Sequence, residues 1–336
     1  MTHAPLAPRS RRPAQRGAAL LTAMVIVVLV TTMAAAMVWQ QWRAVQIESA
    51  ERARAQSFWV LNGALDWARL ILREDVRGGS GVDHLGEPWA TPLAEARLSS
   101  FLAVDKDNTD DAPDAFLSGG IVDVQSRYNL RNLIDQGRVV PDELKVFQRL
   151  CESVGVSPSV AAGVAEGLRQ AVLGTDLAGG GQPNAAGLTP GEAVPPVSEN
   201  PPLLPMNIDQ LAWLGVDPTS LNRLRPYITI LPQVTPINVN TAPKEVIAAA
   251  IDGLDLGSAE RLVQRRQRNP FNSIDEISDA VGHRTIDSRR VGVSSSYFEV
   301  QGRLRYEDRV LEQRYLVERR GQDVVTLHQE RQAVME

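Results

Sequence analysis

The sequence predicts an α+β fold: a long N-terminal helix packed on an antiparallel sheet, with a large all-helical domain inserted. Three observations carry this prediction. A charge-free hydrophobic run near the N-terminus continues into an amphipathic stripe, the middle of the chain repeats a helix–turn–helix pattern, and the C-terminus switches to two-residue alternation.

Residues 16–42 read RGAALLTAMVIVVLVTTMAAAMVWQQW, with no ionisable side chain between Gly17 and Trp42. Residues 18–39 make a helix of about 33 Å, the thickness of a bilayer hydrocarbon core. Arg9, Arg11, Arg12 and Arg16 precede the run without any acid. That bias places the N-terminus in the cytoplasm, with Trp39 and Trp42 at the far interface. Three readings compete: a cleaved secretory signal, a plain membrane anchor, or a segment that is both cut and kept. The run is longer than a typical signal core. Helical character also persists beyond it without proline or glycine until Gly63. Phe58, Leu61, Leu65, Ala68 and Leu72 recur at three- and four-residue steps, while Glu48, Glu51, Arg52 and Arg54 take other positions. One helix of roughly 55 residues thus leaves the membrane and buries its second half on a globular body. A discarded signal has no use for that.

Downstream, Ile121–Gln125 alternates as a short strand, and YNLRNLI leads into helical structure with Asn129 and Asn132 suited to turns and caps. Three helical pairs follow, turning at Gly155, at Gly215 and near Gly253 and Gly257. Thr241 and Pro243 are expected to start the third pair as N-cap and early-turn residues. The Gly- and Pro-rich stretch 175–205 reads as a loop. Alternation in Phe298–Tyr306 and Val310–Glu318, with a further turn at Gly321, gives three strands of an antiparallel meander.

Composition narrows the function. The chain has 336 residues, 43% of them hydrophobic, and a net charge of −5; loss of the four leader arginines takes the remainder to −9. An acidic body argues against a partner bound through phosphates. Cys151 is the single cysteine, so no disulfide forms within the chain, and its place on an apolar helix face reads as a buried small hydrophobe. His3, His84, His283 and His328 are scattered, and no G-x-S-x-G, P-loop or dinucleotide fingerprint occurs. The sequence offers no enzyme. Asp105, Asp107, Asp110, Asp111 and Asp114, with Asp123 nearby, are candidate calcium ligands, since hard oxygens at short spacing suit that ion. Their pattern is not an EF-hand, and a solvated acidic loop is the competing reading.

A short basic leader ending in Gly17, the start GAALLTAMVIVVLV and a helix that is half membrane-spanning and half amphipathic resemble type IV pilins and type II secretion pseudopilins. The phrase GGIVDVQSRYNLRNL and the inserted helical block resemble the K-type minor pseudopilins. This resemblance implies a type IV pilin-like fold. It implies a leader of residues 1–17, a helix over 18–75 spanning the membrane in 18–39, an α/β domain from 76–128 and 288–336, and a helical insertion over 129–287. It further implies cleavage by prepilin peptidase between Gly17 and Ala18, methylation of the Ala18 amine, a single-pass inner-membrane location and a periplasmic body. Calcium-stabilised loops belong to the same expectation. Most pilins carry Glu at the fifth residue after the cut; here it is Thr22. A carboxylate unpaired in hydrocarbon costs about 2.5–3.5 kcal/mol, so a subunit with no neighbour above it does better without one. The expected role is to cap the tip of the pseudopilus and help start it. The expected partners are other minor pseudopilins, the inner-membrane secretion platform and secreted substrates, with no nucleic acid. The third helical pair also resembles the helix-hairpin-helix of DNA-uptake and repair proteins, with Arg261, Arg265, Arg266 and Arg268 on its second helix. A membrane-tethered DNA receptor is therefore the alternative, although Asp252 and Asp255 flank Gly253, where a phosphate would sit.

Overall fold

A computed structural model describes residues 16–79, 81–98, 115–178, 198, 200–306 and 309–334. The chain divides into two compact units, residues 1–60 and 61–336. The first helix, α1, runs Arg16–Gly78, a few residues longer than its periodicity predicts. In the first unit its side chains from Ala18 to Ser49 are all exposed, and Glu48 pairs with Arg52 across one helical turn.

The second unit is built on a five-stranded antiparallel sheet of order β1-β2-β9-β10-β11. Its strands are β1 (Leu93–Arg97), β2 (Ala115–Asp123), β9 (Tyr297–Tyr306), β10 (Arg309–Arg320) and β11 (Asp323–Val334). The predicted meander is therefore present, and β2 begins well before Ile121. Alternation sends Ile121, Phe298, Val300, Tyr315, Val317 and Val324 to one face, where they meet Leu65, Ala68 and Leu72 of α1. Trp89, 1% exposed, closes this core edge-to-face on Phe298 at 5.2 Å. Each buried Leu contributes about 1.5–3 kcal/mol, so the apolar stripe of α1 is the main hold of the helix on the sheet. Gly119 and Gly302 face each other across β2 and β9. A Cβ on Gly302 would lie 3.0 Å from Leu61 Cδ2, so glycine here lets α1 come close to the sheet.

Between β2 and β9 the chain leaves the sheet and builds a helical block. It contains two-residue strands β3 (Tyr128–Asn129), β4 (Ile134–Asp135), β5 (Arg138–Val139), β6 (Ile228–Thr229), β7 (Ile237–Asn238) and β8 (Val291–Gly292). Its helices are α2 (Pro141–Ser153), α3 (Pro158–Ala178), α4 (Pro218–Leu224), α5 (Lys244–Ala250), α6 (Leu256–Arg268) and α7 (Ile274–Ala280). One apolar core unites them, from Tyr128 and Phe147 through Leu168 and Leu224 to Ile247, Leu262, Phe271 and Val291. The helical pairs turn at Gly155, Gly215 and Gly253, whose φ values of 72°, 82° and 70° favour a residue without a Cβ. Residues Ile208–Leu214 wind as a 3-10 helix where the periodicity suggested α, held at the start by a capping box of Asn207 and Gln210.

Candidate functional site

Two features of the chain are the candidates: the apolar part of α1, and a polar joint where the helical block leaves and rejoins the sheet. From Ala18 the helix is long and apolar enough to cross a membrane, with a mean hydropathy of 2.4 in its most apolar window. Thr22 does not offer a free polar group there. Its hydroxyl donates to the Ala18 carbonyl at 2.7 Å, so the fifth position after the predicted cut is satisfied within its own helix.

At the joint, Asp123 ends β2 and is 2% exposed. Its Oδ1 accepts the Gln125 amide at 2.8 Å, capping a short 3-10 turn. Its Oδ2 accepts Ser295 Oγ at 2.6 Å, Thr241 Oγ1 at 2.5 Å and Asn238 Nδ2 at 3.2 Å. Burial pushes the carboxyl up to about 6, against the pull of the Ser295, Thr241 and Gln125 donors. Asn238 Nδ2 also donates to the Asp83 carbonyl and lies 3.0 Å from Ser295 Oγ. Asp83 Oδ2 in turn accepts the Ser295 amide at 2.7 Å. Arg319 of β10 completes the set: it donates to Asp83 at 2.5 Å, to Asp75 of α1 at 2.8 Å and to the Ser295 carbonyl at 2.7 Å. Burial, then the Glu87 carboxylate, pushes Asp75 up to about 6 despite Arg319.

This geometry redistributes the residues read from the sequence. Asp105, Asp107, Asp110, Asp111 and Asp114 lie outside the described residues, so the calcium expectation there is not placed; Gly17 and Ala18 of the expected cut lie in the first turns of α1. Asp123 has both oxygens engaged by protein donors. Thr241, expected to cap α5, turns its hydroxyl to Asp123 instead, and Pro243 takes the N-cap position. Asp75, Asp83 and Glu87 bring a carboxylate oxygen each within 4.8 Å of one another, a set no sequence pattern announced. Arg319 bridges the first two, and Glu87 accepts Trp89 Nε1 at 2.7 Å and the His84 amide at 2.9 Å. Arg319 thus offsets part of the cluster's negative charge, and N–H donors of the chain engage Asp83 and Glu87. Cys151 is fully buried, and burial pushes its thiol up to about 12, as expected of a structural cysteine.

The helix-hairpin-helix resemblance does not translate into a phosphate site. Asp255 caps α6, its Oδ1 accepting the Ser258 amide at 2.9 Å and its Oδ2 the Ser258 hydroxyl at 2.6 Å. An amide that would greet an anion is therefore already spent on a carboxylate. Arg284 covers the hairpin by donating to the Asp252 carbonyl at 3.0 Å, within 2.6 Å of where a Gly253 Cβ would stand. The arginine run also divides. Arg266 is buried and donates to the Val239 and Ala242 carbonyls, Arg265 stacks on Phe271 at 4.9 Å, and Arg261 donates to Ser258.

A membrane-length helix whose second half packs on an antiparallel sheet, with a helical block inserted between strands, defines a pilin-like subunit. Comparison with known proteins makes this specific. Family profiles described as Type II secretion system (T2SS), protein K match residues 126–233 and 237–297. Type II secretion system protein K of Pseudomonas aeruginosa is 30% identical over 313 residues, 89% of this chain and 87% of that one. The protein K of Pectobacterium carotovorum subsp. carotovorum is 26% identical over 333 residues, 93% of this chain and 95% of its own. The fold matches a chain of the GspK-GspI-GspJ complex from the type 2 secretion system of enterotoxigenic Escherichia coli. The TM-score is 0.60 at 19% identity, over 84% of this chain and 98% of that one. The chain belongs to the type II secretion system protein K family and is a minor pseudopilin.

Proposed function

We propose that this subunit caps the tip of the pseudopilus and helps start its assembly with other minor pseudopilins. In this reading prepilin peptidase cuts between Gly17 and Ala18, the new amine is methylated, and the apolar helix stays in the inner membrane. The N-terminus then faces the cytoplasm and the sheet and helical block face the periplasm, in reach of the secretion platform and of secreted substrates. The observation that carries the proposal is Thr22. Where a pilin offers a carboxylate to the amine of a neighbouring subunit, this helix has a hydroxyl bonded back to Ala18. A helix that recruits nothing through that position fits the end of a stack better than its interior. The E. coli relative is found with GspI and GspJ, which supports the corresponding subunits as partners.

Two measurements test it. Mass spectrometry of the membrane-extracted protein is expected to find an N-terminal peptide beginning with methylated Ala18; a start beyond Trp42 would remove the anchor and the proposal together. Gold labelling of sheared pseudopili with an antibody to the helical block is expected at one end of each fibre. Label distributed along the fibre would refute the cap while leaving the family assignment intact.

A further inference from the structure

The sheet face opposite α1 and the helical block enclose an apolar cleft of about 490 Å³. Leu316 and Leu327 form its sheet wall, and Leu168, Val172 and Ile230 its helical wall. Leu204 and Met206 stand exposed at its rim. Water in such a space would meet walls that offer it few hydrogen-bond partners. The edge strand is shaped to this cleft. Leu316 pairs with His328, but Val317 pairs with Thr326, so Leu327 is the extra residue of a β-bulge. The bulge turns Leu327 and His328 to the same side, into the cleft, while Thr326 faces α1 and takes a hydrogen bond from Arg69. It also breaks the outer edge of β11, which disfavours addition of a further strand there. What enters the cleft does so through side chains.

The polar groups of the lining choose the ligand. Arg131 and His328 are its charged or titratable members, and no carboxylate lines it among the described residues. Arg131 makes no ion pair among the described residues, in a body whose net charge is otherwise acidic. A fixed positive charge beside a roomy apolar cleft is complementary to an apolar group with an acid next to it. We propose that this cleft is a docking site for an acidic–apolar segment of a partner polypeptide, its bulky side chains filling the cleft and its carboxylate meeting Arg131. The proposal concerns the helical block and the sheet alone and stands wherever the subunit sits in the fibre.

Calorimetric titration of the full chain in lipid nanodiscs tests it, with the blocked tetrapeptides acetyl-DLFD-amide, acetyl-KLFK-amide and acetyl-DSSD-amide and with decanoate. The DLFD peptide is expected to bind at least tenfold more tightly than the KLFK and DSSD peptides. Arg131→Glu is expected to invert the preference between DLFD and KLFK, and Val172→Trp to abolish binding by filling the wall. Equal binding of DLFD and KLFK, an Arg131→Glu variant with unchanged preference, or binding of decanoate without the peptides would each overturn the proposal. Because Arg131 is only partly buried, Arg131→Glu keeps the test decisive even if Val172→Trp unfolds.

Discussion

Replacing Asp123 by Asn probes the joint most directly, because it keeps the shape and removes the charge. In the native structure this carboxylate accepts four hydrogen bonds, three of them at Oδ2. An amide cannot serve them all: one orientation sets its NH2 against Gln125 N–H, the other against Ser295, Thr241 and Asn238. A buried donor left unpaired costs about 1–3 kcal/mol, while removing the ionised carboxylate relieves up to ~3 kcal/mol of burial cost at pH 8, so the two offset there to within about 2 kcal/mol. The pH dependence has a definite sign. Burial raises Asp123 from 3.8 to about 6, so between those values the folded state binds more protons than the unfolded one. Stability from this group therefore increases as pH falls from 6 towards 4, by ~1.4 kcal/mol at pH 5 and at most ~3 kcal/mol below that. Asn has no such proton to gain, so the penalty of the substitution should grow on acidification. Asp75 and other carboxyls titrate alike in both proteins and cancel in the difference. Urea unfolding of the full chain in nanodiscs, followed by tryptophan fluorescence at pH 8 and pH 5, gives both numbers. A penalty that fails to grow by about 1 kcal/mol between pH 8 and pH 5 would refute the account of the joint.

Other substitutions follow from the same geometry. Arg319→Met leaves Asp75 and Asp83 facing each other without their shared cation and should cost about 3–5 kcal/mol, read as a loss of roughly 10 °C in thermal unfolding. Gly119→Ala would place a Cβ 2.3 Å from the Gln301 carbonyl oxygen and should destabilise by about 1–3 kcal/mol. Gly63→Ala, in the helix interior with nothing within 4 Å of its Cβ, should stabilise by about 0.5–1 kcal/mol; the two variants compared by urea unfolding must differ in sign. Cys151 should resist a thiol-reactive chromogen at pH 8 in the folded protein and react in full in 8 M urea, since burial holds the thiol well above its ordinary range.

Elements whose residues are neighbours in sequence were legible. The stripe Leu61, Leu65, Ala68 and Leu72 is buried as its spacing requires, and the alternation of Phe298–Tyr306 and Val310–Glu318 becomes β9 and β10. Phe58 belongs to the same stripe by spacing yet is 37% exposed, so periodicity alone does not set where burial begins. The joint was not legible. Asp83, Asn238, Ser295 and Arg319 read as ordinary polar residues near a turn, Asp123 as a candidate calcium ligand and Thr241 as a helix cap, and only the tertiary fold brings them together. Thr241 shows the competition: its local pattern favours a helix cap, and a buried carboxylate far away in sequence outbids the free helix end. Arg266 carried a signal that went unread. It follows Ala259 and Leu262 at three- and four-residue steps, which puts it on the buried stripe of α6 while its arginine neighbours stay outside.

The position of the joint follows from the topology. β2 and β9 are antiparallel neighbours, with Asp123 opposite Phe298, so the chain leaves and re-enters the sheet at the same end. An insertion of any length can then be accommodated without disturbing the sheet, because closing a loop costs free energy only logarithmically in its length. What the topology does not supply is orientation. The two-residue ladder of β7 with β8 ties the middle of the block to its C-terminal end, Ile237 to Val291 and Asn238 to Gly292. The apolar contact with the sheet beside it is small, made by Val124, Leu231 and Tyr297 with Leu316 and Leu327 at its margin. Apolar surface is non-directional and would let the block slide over that patch. A buried carboxylate held by donors from three separate segments would not, because a shift of an ångström leaves several polar groups unpaired at once. The polar joint therefore sets the angle at which the helical block stands on the sheet, and with it the width of the apolar cleft between them.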